Sequence, residues 1–336
     1  MKAILMTAVG GPEVLELRDV PKPSIQHETE MLVKVMGAGL NPVDAKQRGR
    51  GTWYPSELPQ ILGIDGAGII EEAGTGVTRF KTGDEVYYAC GGMGMIPGNY
   101  AEYIVIDEKF AALKPSSFTF TQAAAVPCAL ITAWESLFDH GGLCKGQTVL
   151  IHAGAGGVGH IAVQLANMRG ARVCTTVSSN KKMEIVKKLG AEKVIMYRDS
   201  DFVKETLDWT DGKGVDVAFD LVGGETFFKT FSCVRFYGNV VTALGPSPDF
   251  ADWKEARLRN IRVSFELMLS PMYYDLTERQ ERHIKILEEF SGMTDQKKVT
   301  VLVNSTYPLK DVREAHRILQ EGHAIGKIVL QPNLRV

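Results

Sequence analysis

The sequence predicts an α/β protein in which a small all-β domain precedes a doubly wound parallel sheet. Its 336 residues are enough for two domains, since a domain takes about 100–200 residues. Short β-type runs separated by glycine and proline occupy residues 1–122. Strands and helices alternate over residues 123–267, which is typical of a parallel sheet with helices on both faces. We expect residues 268–336 to return in part to the first domain.

The β-type runs of the first domain end at turn dipeptides such as Gly-Gly, Lys-Pro and Pro-Gly. Short strands at that spacing indicate a small barrel or sandwich. The clearest runs are residues 31–35 (MLVKV), 85–88 (EVYY) and 103–106 (YIVI).

The second domain begins near an alanine-rich stretch, residues 121–138, that favours helices. Apolar runs then predict strands at residues 148–152, 172–177, 193–197, 215–221 and 239–244. Helical periodicity predicts helices at residues 158–168 and 181–189. Towards the end of the chain we expect helices at 276–290 and 310–320 and strands at 299–303 and 327–330.

Composition and charge exclude several classes of protein. The formal net charge is −2 and no block of lysine and arginine is present, so neither nucleic acid nor an anionic membrane surface is an expected partner. No apolar run of about 18 residues predicts a transmembrane helix, and the first residues do not read as a secretory signal. The five cysteines lie far apart without a CxxC pair. We therefore expect reduced thiols in a cytoplasmic protein.

The most informative segment is residues 148–159, which read TVLIHAGAGGVG. It contains G-x-G-x-x-G between a predicted strand and a predicted helix, which is the context that a dinucleotide-binding turn needs. The first glycine permits a tight turn, the second lets the backbone approach a pyrophosphate, and the third lets the helix pack on the strand. The alternative is a glycine-rich turn without a ligand. The residues predicted to bind the cofactor here are Gly154, Gly156, Gly157, Val158 and Gly159.

The residues after the second strand of this domain indicate which dinucleotide binds. NAD sites place Asp or Glu about 20 residues beyond the turn to bind the ribose hydroxyls. Here the sequence is Ser178, Ser179, Asn180, Lys181 and Lys182, without an acid. Hydroxyls and lysines fit a 2′-phosphate, so we expect NADPH, bound by Ser178, Ser179 and Lys182. The same residues could instead cap the next helix and form its solvated face, and both interpretations can hold together.

Five short motifs stand out in the sequence: residues 39–44 (GLNPVD), 62–68 (LGIDGAG), 83–86 (GDEV), 98–103 (GNYAEY) and the AGAGGVG turn. Through these motifs the chain resembles the zinc-independent quinone oxidoreductases of the medium-chain dehydrogenase/reductase superfamily over almost its whole length. It implies a GroES-like β-barrel as the first domain and a Rossmann domain as the second, with the active site in the cleft between them. It also implies a homo-oligomer, most simply a dimer.

The resemblance also bears on zinc. Zinc alcohol dehydrogenases of this superfamily hold their catalytic zinc with Cys, His and Cys, and a fourth position stays open. Those positions fall on Asn41, Ile64 and Cys128 here, and one ligand of three cannot form the site. The structural zinc lobe is absent too. We expect no metal, and Cys128 as a buried apolar residue.

Without zinc, an activated acceptor such as a quinone or an α,β-unsaturated carbonyl suits hydride transfer, because hydrogen-bond donors can stabilise the charge that develops on oxygen. The resemblance implies that Asn41 and Tyr54 lie near the reacting groups, and we predict both as catalytic donors. Alternatively, Asn41-Pro42 forms a simple turn, and Tyr54, between Trp53 and Pro55, is a surface aromatic.

Further cofactor contacts follow from the resemblance. Thr132 is expected at the nicotinamide carboxamide and Tyr197 near the adenosine phosphate. Lys327 either reaches the cofactor from the last strand or lies exposed on the surface. Leu221 and Leu244, at the ends of two predicted strands, complete the predicted cofactor-binding residues.

The sequence is compatible with three functions. The leading prediction is an NADPH-dependent quinone or enone reductase. The alternatives are a zinc-type alcohol dehydrogenase and a non-catalytic NADPH-binding protein with a structural or regulatory role, because fold by itself does not settle function.

Overall fold

The computed structural model describes residues 1–54, 56–245, 247–296 and 298–332. The chain forms two compact units, Met1–Cys128 with Leu269–Val336 and Ala129–Met268. The sequence predicts divisions after residues 122 and 267, whereas the units divide after Cys128 and after Met268. The helix Phe120–Ala124 packs in the first unit, where a Cβ on Gly37 would lie 3.0 Å from that of Ala124.

The strands among the described residues are short, and we number them in chain order. They are β1 (Lys2–Met6), β2 (Leu15–Asp19), β3 (Glu30–Gly39), β4 (Asp65–Ala73), β5 (Glu85–Ala89), β6 (Tyr103–Asp107), β7 (Ala111–Leu113), β8 (Thr148–Ile151), β9 (Arg172–Val177), β10 (Lys193–Met196), β11 (Val215–Asp220), β12 (Val234–Thr242), β13 (Arg262–Phe265), β14 (Val303–Pro308) and β15 (Lys327–Gln331).

The α-helices of the described residues are numbered in the same way. They are α1 (Pro42–Arg50), α2 (Phe120–Ala124), α3 (Pro127–Trp134), α4 (Gly159–Met168), α5 (Asn180–Lys188), α6 (Phe202–Trp209), α7 (Gly224–Thr230), α8 (Lys254–Leu258), α9 (Ser270–Tyr273), α10 (Thr277–Asp295) and α11 (Val312–Glu321). No helix in the described ranges is both long enough and apolar enough to span a bilayer.

The first unit is built on a sheet with the strand order β14-β15-β3-β4-β5-β7, in which β6 also pairs with β3. The central strand β3 runs antiparallel to β4, β6 and β15. Its register places Gly39 opposite Asp65 of β4, and β15 places Val329 opposite Gly39. Two residues further along the same antiparallel register, Lys327 of β15 lies beside Asn41, which follows β3, and close to Asp65.

The second unit is a six-stranded sheet with the order β10-β9-β8-β11-β12-β13. Every pair in it is parallel, which confirms the predicted doubly wound α/β domain. The carboxyl ends of parallel strands share one edge, and ligands of such sheets bind where the strand order reverses. In this unit that point lies between β8 and β11, next to the glycine turn.

The predicted strand at 299–303 is wrong in all but its last residue. β14 begins only at Val303, although the carbonyl oxygen of Leu302 already accepts the backbone N–H of Lys327 at 2.9 Å. Val299 and Val301 are buried, which gives the alternating burial of a strand ahead of β14. Pairing starts where Val303 meets Lys327 of β15, and the register shifts before Ser305.

Candidate functional site

The glycine turn after β8 has its tight bend at Ala153, which adopts a left-handed conformation with φ of 54°. Glycine is required elsewhere in the turn because neighbouring atoms leave no room for a side chain. A Cβ on Gly154 would lie 2.0 Å from Thr175 Oγ1, and one on Gly159 would lie 2.3 Å from the carbonyl oxygen of Ala153. At Gly156 the one neighbour within contact is that same oxygen, at 3.1 Å. Gly154 and Gly159 thus have no room for a Cβ, whereas at Gly156 a Cβ would make one tight contact, with that oxygen.

The turn presents unsatisfied donors at the start of α4. The backbone N–H groups of Gly157, Val158 and Gly159 have no acceptor among the described residues. The first N–H groups of a helix carry partial positive charge and bind phosphate readily. The missing side chain at Gly156 and three donors without an acceptor in the described ranges together fit the pyrophosphate of a dinucleotide.

A buried network holds the bend of the turn. Thr176 Oγ1 accepts a hydrogen bond from the backbone N–H of Ala153 at 3.1 Å and lies 3.2 Å from His152 Nδ1. The other ring nitrogen of His152 lies 2.9 Å from Thr230 Oγ1. Burial lowers the pKa of His152 to about 4, so the ring is neutral near pH 7. His152 thus supports the backbone that would contact the phosphates.

The residues predicted for the 2′-phosphate follow β9 and β10 at the same edge of the sheet. Ser179 is the N-cap of α5, and its hydroxyl accepts a hydrogen bond from the backbone N–H of Lys182 at 3.4 Å. Ser178 and Lys182 are partly exposed, and Tyr197 is 50% exposed. The structure therefore confirms that Ser179 caps α5. The side chains of Ser178, Lys182 and Tyr197 remain accessible to a ligand.

The other residues of this unit that were predicted to bind the cofactor are Leu221, Leu244 and Thr132. Leu221 and Leu244 follow β11 and β12 at the carboxyl edge, and both are partly exposed. Leu244 Cδ1 would lie 3.0 Å from a Cβ on Gly223. Thr132 lies within α3 and is 7% exposed; its contact with the cofactor stays a prediction.

In the first unit, three residues form a buried polar group that we call the Asn41 cluster: Asn41, Asp65 and Lys327. Asn41 Nδ2 donates to Asp65 Oδ2 at 2.9 Å, and Lys327 Nζ donates to Asn41 Oδ1. Lys327 Nζ also lies 3.4 Å from Asp65 Oδ2. The second carboxylate oxygen, Asp65 Oδ1, accepts the backbone N–H of Cys128 at 2.8 Å. Lys327 is 5% exposed, so the alternative of a surface lysine is wrong.

The electrostatics of the cluster favour an ion pair. Burial raises the pKa of Asp65 above its ordinary value, and the Lys327 ammonium and the Asn41 amide oppose that rise without cancelling it. Both carboxylate oxygens face donors, which stabilise the charged form. An unpaired ion at this depth would be strongly unfavourable, so Asp65 and Lys327 depend on each other.

A neighbouring carboxyl group fixes the backbone of Asn41. Asp44 Oδ2 accepts the backbone N–H of Asn41 at 2.8 Å and the phenol of Tyr100 at 3.0 Å. Asn41 is the N-cap of α1, with Asp44 at the third helical position. Burial raises the pKa of Asp44 to about 7, against the effect of those two hydrogen bonds. The turn interpretation of Asn41-Pro42 thus takes the form of a helix cap.

Tyr54 is anchored to the main chain. Its phenol donates to the carbonyl oxygens of Met272 and Tyr273, at 2.9 and 2.6 Å. Its ring stacks on that of Tyr273 with the centroids 4.8 Å apart. The single phenol hydrogen is therefore already shared by two acceptors, and the catalytic role of Tyr54 stays a prediction. Pro55, its neighbour in the predicted loop, lies outside the described residues.

Sequence reasoning missed the contributions of Asp65, Asp44 and Thr176. Asp65 occurs in the LGIDGAG motif, and the signal available was a carboxylate inside an apolar strand, because buried charges need partners. Thr176 offered no signal, since a threonine near the end of a strand is common.

The three positions that match zinc ligands do not form a metal site in the described chain. No group of three or more His, Cys, Asp or Glu side chains able to hold a metal occurs among the described residues. The Asn41 side chain is hydrogen-bonded within its cluster, and Ile64 is buried. Cys128 is partly exposed, not buried as expected.

A parallel sheet with a glycine turn at its carboxyl edge, together with a mostly antiparallel β unit, is typical of two-domain nucleotide-dependent oxidoreductases. The chain matches the family described as alcohol dehydrogenase GroES-like domain over residues 27–116. It matches that described as zinc-binding dehydrogenase over residues 189–330. It is 34% identical to a quinone oxidoreductase of Pseudomonas aeruginosa, across 98% of this chain and 99% of that protein. The chain belongs to the quinone oxidoreductase branch of the medium-chain dehydrogenase/reductase superfamily, which confirms the predicted family and fold class.

Two further relatives bear on chemistry. A 2-methylene-furan-3-one reductase of Solanum lycopersicum is 34% identical, across 99% of this chain and 79% of that protein. The crystal structure of Escherichia coli quinone oxidoreductase complexed with NADPH superposes with a TM-score of 0.88 at 30% identity, covering 99% of this chain and 100% of that one.

Proposed function

We propose that the protein is an NADPH-dependent reductase that transfers hydride to a quinone or an α,β-unsaturated carbonyl compound without zinc. The observation that carries the proposal is the glycine turn, which has no side chain at Gly156 and whose N–H groups at Gly157, Val158 and Gly159 have no acceptor among the described residues. Relatives named as a quinone oxidoreductase and as a 2-methylene-furan-3-one reductase support the two classes of acceptor.

NADPH is the cofactor, and it supplies the hydride. The turn binds the pyrophosphate, while Ser178, Ser179 and Lys182 offer hydroxyls and a positive charge where an NAD site would place a carboxylate. Lys182 and Tyr197 are accessible at that edge. A relative of known structure is complexed with NADPH, which supports the same choice.

Two observations support a reaction without zinc. The positions that match the three ligands hold Asn41, Ile64 and Cys128, and two of those residue types do not bind zinc. In addition, the Lys327 ammonium already occupies the side of Asn41 and Asp65 to which a cation would bind. The match to a zinc-binding dehydrogenase family begins at residue 189, beyond all three positions.

In the reaction, the protein must stabilise negative charge on the acceptor oxygen as hydride arrives. Asn41 retains one amide hydrogen without an acceptor among the described residues, and we assign that donor to the oxygen. Neutral donors suit a delocalised anion such as that from a quinone or enone. Removing one such donor costs about 1–3 kcal/mol.

The proposal is tested by NADPH and NADH consumption with naphthoquinones, enones, aldehydes and alcohols, before and after chelation. We expect NADPH oxidation with quinones or enones, unchanged after chelation, and zinc well below stoichiometry. Alcohol oxidation that is lost on chelation would establish the zinc-type alternative. Tight NADPH binding without turnover of any acceptor would establish a non-catalytic role.

We further propose a cytoplasmic homodimer. The support is the sparse cysteine pattern and the resemblance to a family of homo-oligomers. Light scattering of the purified protein gives the oligomeric state, and a monomer at micromolar concentration would contradict the proposal.

A further inference from the structure

The side-chain amide of Asn41 lies between two partners of opposite charge. On one side the Lys327 ammonium contacts Oδ1, and on the other Nδ2 donates to Asp65 Oδ2 at 2.9 Å. An ammonium group can only donate hydrogen bonds, and a carboxylate can only accept them. The reversed amide would direct its NH₂ group at the ammonium and its oxygen at the carboxylate. The two charges therefore determine the orientation of the amide, which is otherwise ambiguous in asparagine.

The backbone of Asn41 is held as firmly as its side chain. Its N–H donates to Asp44 Oδ2 at 2.8 Å, and the preceding N–H of Leu40 donates to the carbonyl oxygen of Ile328 at 2.9 Å. One hydrogen of Nδ2 is used by Asp65, and the other has no acceptor among the described residues. The remaining N–H is therefore the group that Asn41 can offer a ligand, while its Oδ1 is held by the Lys327 ammonium.

We propose that Lys327 is a positioning residue that, together with Asp65, makes Asn41 an obligate hydrogen-bond donor. The group bound at Asn41 is then an acceptor oxygen, either the carbonyl of the substrate or an oxygen on the nicotinamide half of the cofactor. The ammonium also polarises the amide, because linked hydrogen bonds strengthen one another. The part of this inference that concerns catalysis rests on the proposed function, whereas the orientation of the amide does not.

The chain offers a matched control in Lys114. Its side chain is 5% exposed and that of Lys327 is 4% exposed. Lys114 Nζ also pairs with a carboxylate, at 3.1 Å from Glu85, and donates to the carbonyl oxygen of Pro115 at 3.0 Å. It lies in the same unit but has no contact with Asn41. Lys327→Met and Lys114→Met thus remove equally buried ammonium groups.

The first experiment measures the amide directly, without turnover. In protein labelled with ¹⁵N-asparagine, the Asn41 side-chain signal is identified by its loss in Asn41→Ala. We expect that Lys327→Met moves this signal and speeds exchange of its hydrogens by about tenfold, as expected from one lost hydrogen bond of about 1.4 kcal/mol. Lys114→Met should leave the signal in place. An unchanged signal in folded Lys327→Met would overturn the proposed orientation.

The second experiment asks whether Lys327 acts through Asn41. We expect Lys327→Met to lower kcat with enones by about tenfold, and to have little further effect when Asn41 is already Ala. Lys327→Arg, which keeps the charge, should recover part of the loss. A fall in kcat with unchanged NADPH affinity identifies the substrate oxygen, and weaker NADPH binding identifies the cofactor oxygen. Additive effects of Lys327→Met and Asn41→Ala would contradict action through Asn41.

The two proposals can fail separately. If wild-type protein oxidises no NADPH with any acceptor, the proposed function fails, while the ¹⁵N signal still decides the orientation of Asn41. If Lys327→Met does not fold, Asp65→Asn removes the other charge that orients the amide and provides the same comparison of the Asn41 signal.

Discussion

The glycine turn and the Asn41 cluster differ in how many of their polar groups already have hydrogen-bond partners. The turn lacks side chains, and the N–H groups of Gly157, Val158 and Gly159 have no partner in the described chain. In the Asn41 cluster, by contrast, the charged groups are already paired with one another. A bound phosphate would supply acceptors for the N–H groups of the turn. In the Asn41 cluster, one amide hydrogen is left without an acceptor among the described residues. The turn should therefore be sensitive to added volume, and the cluster to lost charge.

The largest expected effect tests the charge dependence of the cluster. Asp65→Ala leaves the Lys327 ammonium buried without a carboxylate, and breaking a buried pair costs about 3–5 kcal/mol. Adding Lys327→Met should recover part of that loss because it removes the unpaired ion. Urea unfolding of both variants measures the free energy of unfolding. If the double variant is less stable than Asp65→Ala, the ion pair is not the source of the stabilisation.

The next effect tests the cofactor preference at the edge of the turn. Lys182→Ala removes a charge that we assign to the 2′-phosphate, which costs about 1.5–3 kcal/mol or about 10–150-fold in affinity. The Michaelis constant for NADPH should rise by that factor, and that for NADH should not change. Lys181→Ala, on the same helix but more exposed, is the control. Equal use of both cofactors by the wild type would refute the assignment.

Two alanine substitutions separate packing from ligand binding within the turn. Gly159→Ala places a Cβ 2.3 Å from the Ala153 oxygen, and overpacking of this kind costs about 1–3 kcal/mol of stability. Gly156→Ala meets that oxygen at 3.1 Å, a milder contact than at Gly159, so the melting temperature should fall less while NADPH binding weakens by about tenfold or more, as when a ligand loses a hydrogen bond to phosphate. Calorimetry and fluorescence titration measure the two effects. Equal losses of stability would show that Gly156 is also a packing glycine.

The two regions should also differ in how stability depends on pH. The pKa of Asp44, beside Asn41, is about 7 when folded and 3.8 as the reference value. Its stabilisation is therefore complete below pH 3.8 and is lost as the pH rises towards 7. His152, under the turn, has a pKa lowered from 6.5 to about 4, so its contribution is complete above pH 6.5 and is lost as the pH falls towards 4.

Asp44→Asn removes the first of these opposing contributions. The free energy of unfolding should then rise with pH more steeply between pH 4.5 and 6, by about 1.4 kcal/mol per pH unit. Urea unfolding at several pH values measures the slope, and Glu57→Gln, at an exposed acid, is the control. The same slope in Asp44→Asn and wild type would mean that Asp44 does not take up a proton in this range.

The smallest expected effect concerns Tyr54. Because its phenol donates to the carbonyl oxygens of Met272 and Tyr273, Tyr54→Phe should cost about 0.5–1.5 kcal/mol of stability. Turnover of quinones should change less than that of enones, since a quinone is already a strong acceptor. A large fall in kcat without loss of stability would instead favour the catalytic role over the anchoring one.

Much of the fold followed from local pattern. The predicted strand at 172–177 coincides with β9, and the predicted helix at 158–168 begins one residue before α4. The predicted strand at 299–303 failed because Val299 and Val301 are buried at alternate positions, whereas the strand that pairs with β15 begins only at Val303. Alternation reports which side chains are buried, and pairing depends on a second strand that the pattern does not contain.

The sequence by itself determined the glycine-rich turn between strand and helix, the parallel sheet and the family, because each depends on contiguous residues whose backbone geometry is local. Only the tertiary structure decided the environment of Asn41. Lys327 is 286 residues from Asn41 along the chain, and the antiparallel register of β15 on β3 brings them together. Likewise, the carbonyls that accept the Tyr54 phenol lie more than 200 residues away, at 272 and 273. Long-range pairing places these groups, and no local periodicity encodes which partner a buried polar side chain will meet.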